Sequence, residues 1–491
     1  MLKLKMKRLR TKKNEKAFSF SNITNVDINT KFLQECDKEF YENPSNIISR
    51  NAIVSIGSMI STTNSTRLND IDHVFMNTIK KKNLKATNQG RSGRCWMFSG
   101  LNMFRHSVIE GLDLENFEFS ETYLFFWDKL ERSNTYLKWF IAHPTVKPDD
   151  HAFNFIVDDF ISDGGWWNMF ANLVSKYGLV PKSAMKETFQ SDDSDDMNNI
   201  LNNKIQACAN YLFINKNLTP EEKETERVKT VKGIYNVLVK FLGDPPKNGF
   251  RWSYETEEDS NIITNLEPKQ FMNTVIPNVD IDDFVVLTHL PGKLKENKLY
   301  EVNHTTNIYE GKNFRFLNLC IQDISKYASK SILAGMPVWF ASDVSKDFNP
   351  YHSTLDDKLV DEQIVFGANH TFTKGDRITF KNLSSNHAMT LIGLNLGSDN
   401  EPESWQVENS WGYFDNETPG QDGFLYMSHS WFTKNVMQIV VHKHFLSRTV
   451  QKLLNQKVEY IDPWNCLAPA LKVRPVDAPK LYEINRRKKL L

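Results

Sequence analysis

A loop that runs into a helix with one cysteine at the join, Thr87-Asn88-Gln89-Gly90-Arg91-Ser92-Gly93-Arg94-Cys95-Trp96-Met97-Phe98, constrains this chain more than any other stretch. From Phe98 the apolar residues Leu101, Phe104 and Val108 recur at three- to four-residue intervals and Gly111 follows Glu110, so the spacing predicts a helix over 96–110 closed by glycine. Cys95 then stands at the helix N-terminus. There the partial positive charge and the free N–H groups favour thiolate over thiol. Gln89 lies upstream, before a turn set by Gly90, Ser92 and Gly93 that folds its side-chain amide back towards Cys95, where an amide N–H stabilises an oxyanion. Taken alone, a Cys-Trp pair beside a glycine-rich turn reads as buried packing. A base and a group to orient it decide the matter.

Both lie near the other end of the chain. Asn386-His387-Ala388-Met389 opens Thr390-Leu391-Ile392-Gly393-Leu394, which reads as a mostly buried strand with His387 at its entrance. Ser404–Glu408 reads as a second strand leading into Asn409-Ser410-Trp411-Gly412, and Gly423–Met427 as a third. A histidine that takes a thiol proton and returns it to a leaving amine, held by an asparagine carbonyl on its other ring nitrogen, requires these residue types. Cys95, His387 and Asn409 supply them. The tetrapeptide Asn-Ser-Trp-Gly arises by chance in well under ~1 per cent of chains this long, so its company with Gln-x5-Cys-Trp is not coincidence.

These residues resemble the papain-like cysteine peptidases. The text Gly93-Arg94-Cys95-Trp96 is similar to that of the bleomycin hydrolase and bacterial aminopeptidase C branch, as are Tyr123-Leu124-Phe125-Phe126-Trp127-Asp128-Lys129, Asp163-Gly164-Gly165-Trp166, Gly243-Asp244-Pro245-Pro246, Asn386–Met389 and Val407–Gly412. The resemblance runs over about residues 40–469. It implies an α+β, two-lobed papain-like fold, a helical half and a β-rich half meeting at a cleft. Catalysis falls to Cys95, His387 and Asn409, with Gln89 at the oxyanion and Trp96 and Trp411 supporting the site. Gly164 and Gly165 form a wall that binds substrate main chain, the other reading being a plain tight turn. No cofactor and no metal are implied.

About 290 residues separate Cys95 from His387, roughly twice the 130–150 of papain-type chains, so something large is inserted. The expected order is a basic tail over 1–25, an N-terminal segment and helical half with the nucleophile over 26–185, and a mainly helical insertion over 186–330. A β-rich half with His387 and Asn409 over 331–460 and a C-terminal arm over 461–491 complete it. Within the insertion, Val228, Val231, Ile234, Val237 and Phe241 keep one face of a helix apolar from Pro220, stopped by Gly243 and Pro245. The resemblance assigns the insertion to contacts in a homohexamer. Ser191–Asp196 is acidic but lacks the glycine and distant glutamate of a calcium loop, and reads as a helix start. His442 and His444 alternate like metal ligands without a third at suitable spacing.

Composition narrows the partners. Sixty basic and sixty acidic side chains cancel, which gives no general argument for nucleic acid or an anionic membrane. Locally, residues 1–16 carry eight basic residues against one acidic, and Arg486-Arg487-Lys488-Lys489 closes the chain, so a ring that binds nucleic acid stays open as a reading of another class. Five scattered cysteines argue against a disulfide framework. No apolar run approaches the ~18 residues of a membrane span and the N-terminus lacks the apolar core of a secretory signal. A cytoplasmic location is expected.

Ile461-Asp462-Pro463-Trp464-Asn465-Cys466-Leu467-Ala468 resembles the last residues of the family, which lie in the cleft. There the terminal carboxylate of a residue such as Ala468 blocks one end and pairs with the free amino group of a peptide, making an aminopeptidase. This chain continues past Ala468 to Leu491. Either the extension is trimmed or it leaves the cleft, in which case an endopeptidase or acyl transferase is the alternative.

Overall fold

The computed structural model describes residues 28–158, 161–247, 249–256, 260–292, 294–360, 362–367, 372–412, 423–465 and 471–474. The basic stretches at both ends, and Ala468, lie outside the described residues. The chain divides into two units, 1–63 and 64–491. In the first, helices Thr30–Glu42, Pro44–Ile56 and Ser58–Ser61 follow one another. Asn29 and Asn43 cap the first two by accepting from the backbone N–H groups of Phe32 and Ser45, and Pro44 opens the second where a missing N–H costs nothing.

The second unit is built on a sheet of twelve strands among the described residues. At its centre 284–288, 436–442, 338–342, 387–396, 402–408 and 424–428 lie side by side in that order, each neighbour antiparallel. The strand His387–Leu396 is buried through Leu394 because it is covered on both faces. Side chains alternate across a strand. Ala388 and Ile392 therefore pack with Trp96, Leu101 and Phe104, whereas Met389 and Leu391 pack with Ile324, Ala328 and Ile332, joined by Leu394 past the register shift between Leu391 and Gly393. The first set belongs to the helix Cys95–Gly111 and the second to Ile321–Leu333.

Polar groups fix the first contact in register. The Ser99 hydroxyl donates to the Met389 carbonyl at 2.6 Å, and Thr390 Oγ1 donates to the Ser99 carbonyl at 3.1 Å. The Cys95 helix is thus bolted to the strand that begins with His387.

The helical layer holds Glu121–Ala142, Trp167–Tyr177, Asp195–Ile214 and Pro220–Leu242. The last carries a capping box between Thr219 and Glu222, buries Ile234, Leu238 and Leu242, and ends where Gly243 takes φ 83°. Glu121–Ala142 is long because Tyr136, Leu137, Trp139 and Phe140 continue the buried face. The stretch expected to be mainly helical over 186–330 is helical to Leu242 and then turns to strand. Phe284–Thr288, Lys298–Val302 and Phe314–Asn318 all join the main sheet, where Leu287 pairs with Leu317 and Tyr300 with Phe316. Among the described residues no helix is long and apolar enough to cross a membrane.

Candidate active site

The loop before Cys95 is sewn to the segment after the strand Pro402–Glu408. Gln89 N–H donates to the Ser410 carbonyl and Gly412 N–H to the Thr87 carbonyl, each at 2.8 Å. Behind them Glu408, wholly buried at the strand end, pairs with Arg105 at 2.5 Å and His106 at 2.7 Å, both on the Cys95 helix. The Cys95 helix, the entrance of the His387 strand and Asn409 therefore converge.

His387 Nε2 lies 2.7 Å from Asn409 Oδ1, which also accepts from Ser410 N–H at 2.8 Å. A carbonyl oxygen only accepts, so Nε2 carries the hydrogen and Nδ1 keeps a lone pair. The Trp411 indole stacks on the imidazole with centroids 4.4 Å apart and planes at 24°. The Cys95 sulfur is within reach of the backbone N–H groups of Ala388, the residue after His387, and of Trp96 and Cys95 itself. Gln89 is pinned at both ends: Nε2 donates to the Ser92 carbonyl at 2.7 Å and Oε1 accepts from Ser410 Oγ at 2.6 Å. Six of the residues singled out in the sequence, Cys95, His387, Asn409, Gln89, Trp96 and Trp411, share this site.

Burial works against the effect of the helix end and opposes charge on both members of the pair. Burial pushes the Cys95 thiol up to about 12, and the backbone donors around the sulfur only partly offset it. Burial likewise holds His387 down to about 4, against the hydrogen bond to Asn409 that favours the charged ring. Burial thus opposes a lone charge on either group, and ionisation is favoured where the proton passes from one to the other so that each charge stabilises its partner.

A stability profile follows. The unfolded chain binds a proton on His387 below its ordinary 6.5 while the folded chain does not until about 4. The contribution is thus present above 6.5 and lost as pH falls towards 4, up to about 3 kcal/mol. Thermal melts from pH 4 to 8 should show wild type losing more stability on acidification than His387→Ala. Equal slopes in the two proteins would contradict the buried neutral imidazole.

Asp163-Gly164-Gly165 forms the wall beside Trp96. A Cβ on Gly165 would sit 2.7 Å from the Trp96 ring, so only glycine allows this approach. Trp96 Nε1 donates to the Asp163 carbonyl at 2.6 Å, and Arg132 donates to the Gly164 carbonyl at 2.8 Å. Sequence reasoning missed Asp163 as a supporting residue. Its carboxylate accepts from Gly93 N–H at 3.0 Å and from Lys129 Nζ at 2.6 Å. Burial raises this carboxyl, and the Lys129 ammonium together with the hydrogen bonds from Lys129, Ser194 and Gly93 outweighs it and holds the group well below the usual carboxylate range. An aspartate before two glycines was the available signal, but its lysine partner is distant in the chain.

Gly165 has a backbone partner on its open edge. Its N–H donates to the Val473 carbonyl at 3.2 Å and its carbonyl accepts from Val473 N–H at 3.1 Å. Residues 471–474, past Ala468, thus lie against the wall.

A cysteine and an imidazole oriented by a carboxamide, set where a helical half meets a sheet, define a papain-like thiol peptidase. The Peptidase C1-like family model matches residues 27–468, and the chain belongs to that family. It is 34% identical over 437 residues to aminopeptidase C of Listeria monocytogenes, covering 88% of this chain and 96% of that one. It is 33% identical over 404 residues to bleomycin hydrolase of Homo sapiens, covering 80% and 88%. The solved structure of PepW from Lactobacillus rhamnosis HN001 superposes with a TM-score of 0.85 at 29% identity, over 90% of this chain and 99% of that one.

Proposed function

We propose that this chain is an aminopeptidase that removes N-terminal residues from peptides through an acyl-enzyme on Cys95. The carrying observation is the His387–Asn409 contact of 2.7 Å with the sulfur beside Ala388. His387 Nδ1 takes the thiol proton, the thiolate attacks the substrate carbonyl carbon, and the oxyanion meets the Cys95 N–H and the second N–H of the Gln89 amide. The same imidazole protonates the leaving amine, then draws a proton from the water that releases the acyl group. Asn409 holds the ring in the tautomer this requires, and Trp411 shields that bond from water.

The names of its relatives support the preference for a free N-terminus. Ala468 is followed by Pro469 in this chain, so in the full-length form its carbonyl belongs to a peptide bond and offers no carboxylate. A cytoplasmic homohexamer belongs to the same reading, by likeness to the family. Nucleic-acid binding would rest on basic stretches outside the described residues and remains a reading of another class.

The test compares a fluorogenic peptide amide bearing a free amine with its N-acetylated twin. After removal of residues 469–491, which gives Ala468 its carboxylate, the free amine should be favoured at least about tenfold in kcat/KM, one charge-assisted contact being worth ~1.5–3 kcal/mol. Equal rates on the two would put a cysteine endopeptidase or acyl transferase in its place.

A further inference from the structure

The segment Leu471-Lys472-Val473-Arg474 crosses the site from wall to wall. On the nucleophile side Val473 makes both backbone hydrogen bonds to Gly165, an antiparallel bridge of the kind one more strand would make. On the histidine side Arg474 N–H donates to the carbonyl of Ser385, two residues before His387, at 3.1 Å. Behind the segment Gln438, wholly buried on the strand Val436–His442, donates from Nε2 to the Leu471 carbonyl at 2.8 Å. Lys472 donates to Ser162 Oγ at 3.2 Å and lies 5.4 Å from the Trp166 ring centroid. Leu471 and Val473 are 0% exposed, as is Cys95, and His387 is 1% exposed.

A backbone pinned to both walls near the reacting pair uses, at Val473, hydrogen-bonding groups of Gly165 that an extended peptide substrate would need. We infer that residues 471–474 are a built-in competitor, which occupies the main-chain positions of the cleft in the full-length chain and keeps Cys95 from substrate until it is displaced. This rests on the peptidase reading of Cys95 and His387. The family match ends at residue 468, before this segment. The bond that follows Arg474 is to Pro475, and a proline nitrogen closed in a ring, with φ fixed, departs from the ordinary peptide. That suits an occupant that is held and not cut.

The experiment follows alkylation of Cys95 by iodoacetamide in the full-length protein, read by mass spectrometry on the Cys95 peptide, alongside hydrolysis of the free-amine peptide amide. Val473→Pro removes the N–H given to Gly165. Leu471→Ala leaves every backbone donor and removes buried side chain, and it serves if the proline variant does not fold. Each should speed alkylation at least about fivefold, the worth of one net hydrogen bond, and raise kcat/KM in parallel. Unchanged alkylation in folded variants, with hydrolysis at the wild-type rate, overturns the competitor and leaves the peptidase reading standing. Faster alkylation with no hydrolysis in any form sinks the peptidase reading and keeps the occlusion. An intact mass showing that wild type loses everything after Arg474, while Cys95→Ala does not, makes the segment a substrate and overturns the proposal.

Discussion

Cys95→Ala should reduce hydrolysis of peptide amides by about 10⁴- to 10⁶-fold, with the folded structure kept. The loss is large because no neighbouring group can replace the sulfur. Asn409 and Gln89 are neutral amides, and His387 without a thiol has only water to activate. The fold survives because the sulfur carries no charge in the closed state, where burial pushes the thiol up to about 12. Removing one atom from a site that is 0% exposed costs about 1 kcal/mol. Steady-state rates and a thermal melt read the two halves separately. His387→Ala alone should fall nearly as far, and the double variant no further, since the two act as one unit. Turnover kept above about a hundredth of wild type in Cys95→Ala would remove the sulfur from the mechanism.

How much of this was legible in the sequence depends on how local each feature is. The Cys95 helix, expected over 96–110 and found at Cys95–Gly111, carries its own period and its closing glycine. Pro220–Leu242 likewise has its capping box and stop within a few residues. The site residues could be named because their short texts resemble a known family. Strand partners are a different matter. Phe284–Thr288 and Phe314–Asn318 fall in the stretch expected to be mainly helical, and the place of the first beside Val436–His442 depends on pairings more than a hundred residues away, such as Val286 with Val440. The burial of the thiol was illegible for a related reason. A helix end is visible in one dimension, whereas the burial that outweighs it comes from the sheet and walls closing over the sulfur. Residues 471–474 gave no signal at all: four residues are too few for a period, and their contacts use backbone groups common to every sequence.

Asp163→Ala should cost about 3–5 kcal/mol of stability, the usual penalty for leaving one member of a buried ion pair alone. Its partner Lys129 is 0% exposed, with Nζ 2.6 Å from the carboxylate and 4.8 Å from the Phe125 ring centroid. Burial already lowers the Lys129 pKa and the Asp163 charge works against this, so the variant leaves the ammonium to lose its proton or draw in water. Ser194 and Asn198 also give hydrogen bonds to this carboxylate. Asp163→Asn should be milder, because it keeps an acceptor for Gly93 while losing the charge. Removing the lysine as well, with Lys129→Met, should recover part of the stability lost in Asp163→Ala, a coupling that a double-mutant cycle in denaturant measures. Activity should not recover with it. Gly93 would still lack the acceptor that sets the turn two residues before Cys95, and the backbone that carries both the Trp96 bond and the Gly164–Gly165 wall would still be unanchored. Strictly additive stability losses in the cycle would mean that the pair does not interact. Full activity in Asp163→Ala would mean that the nucleophile turn is held by other bonds.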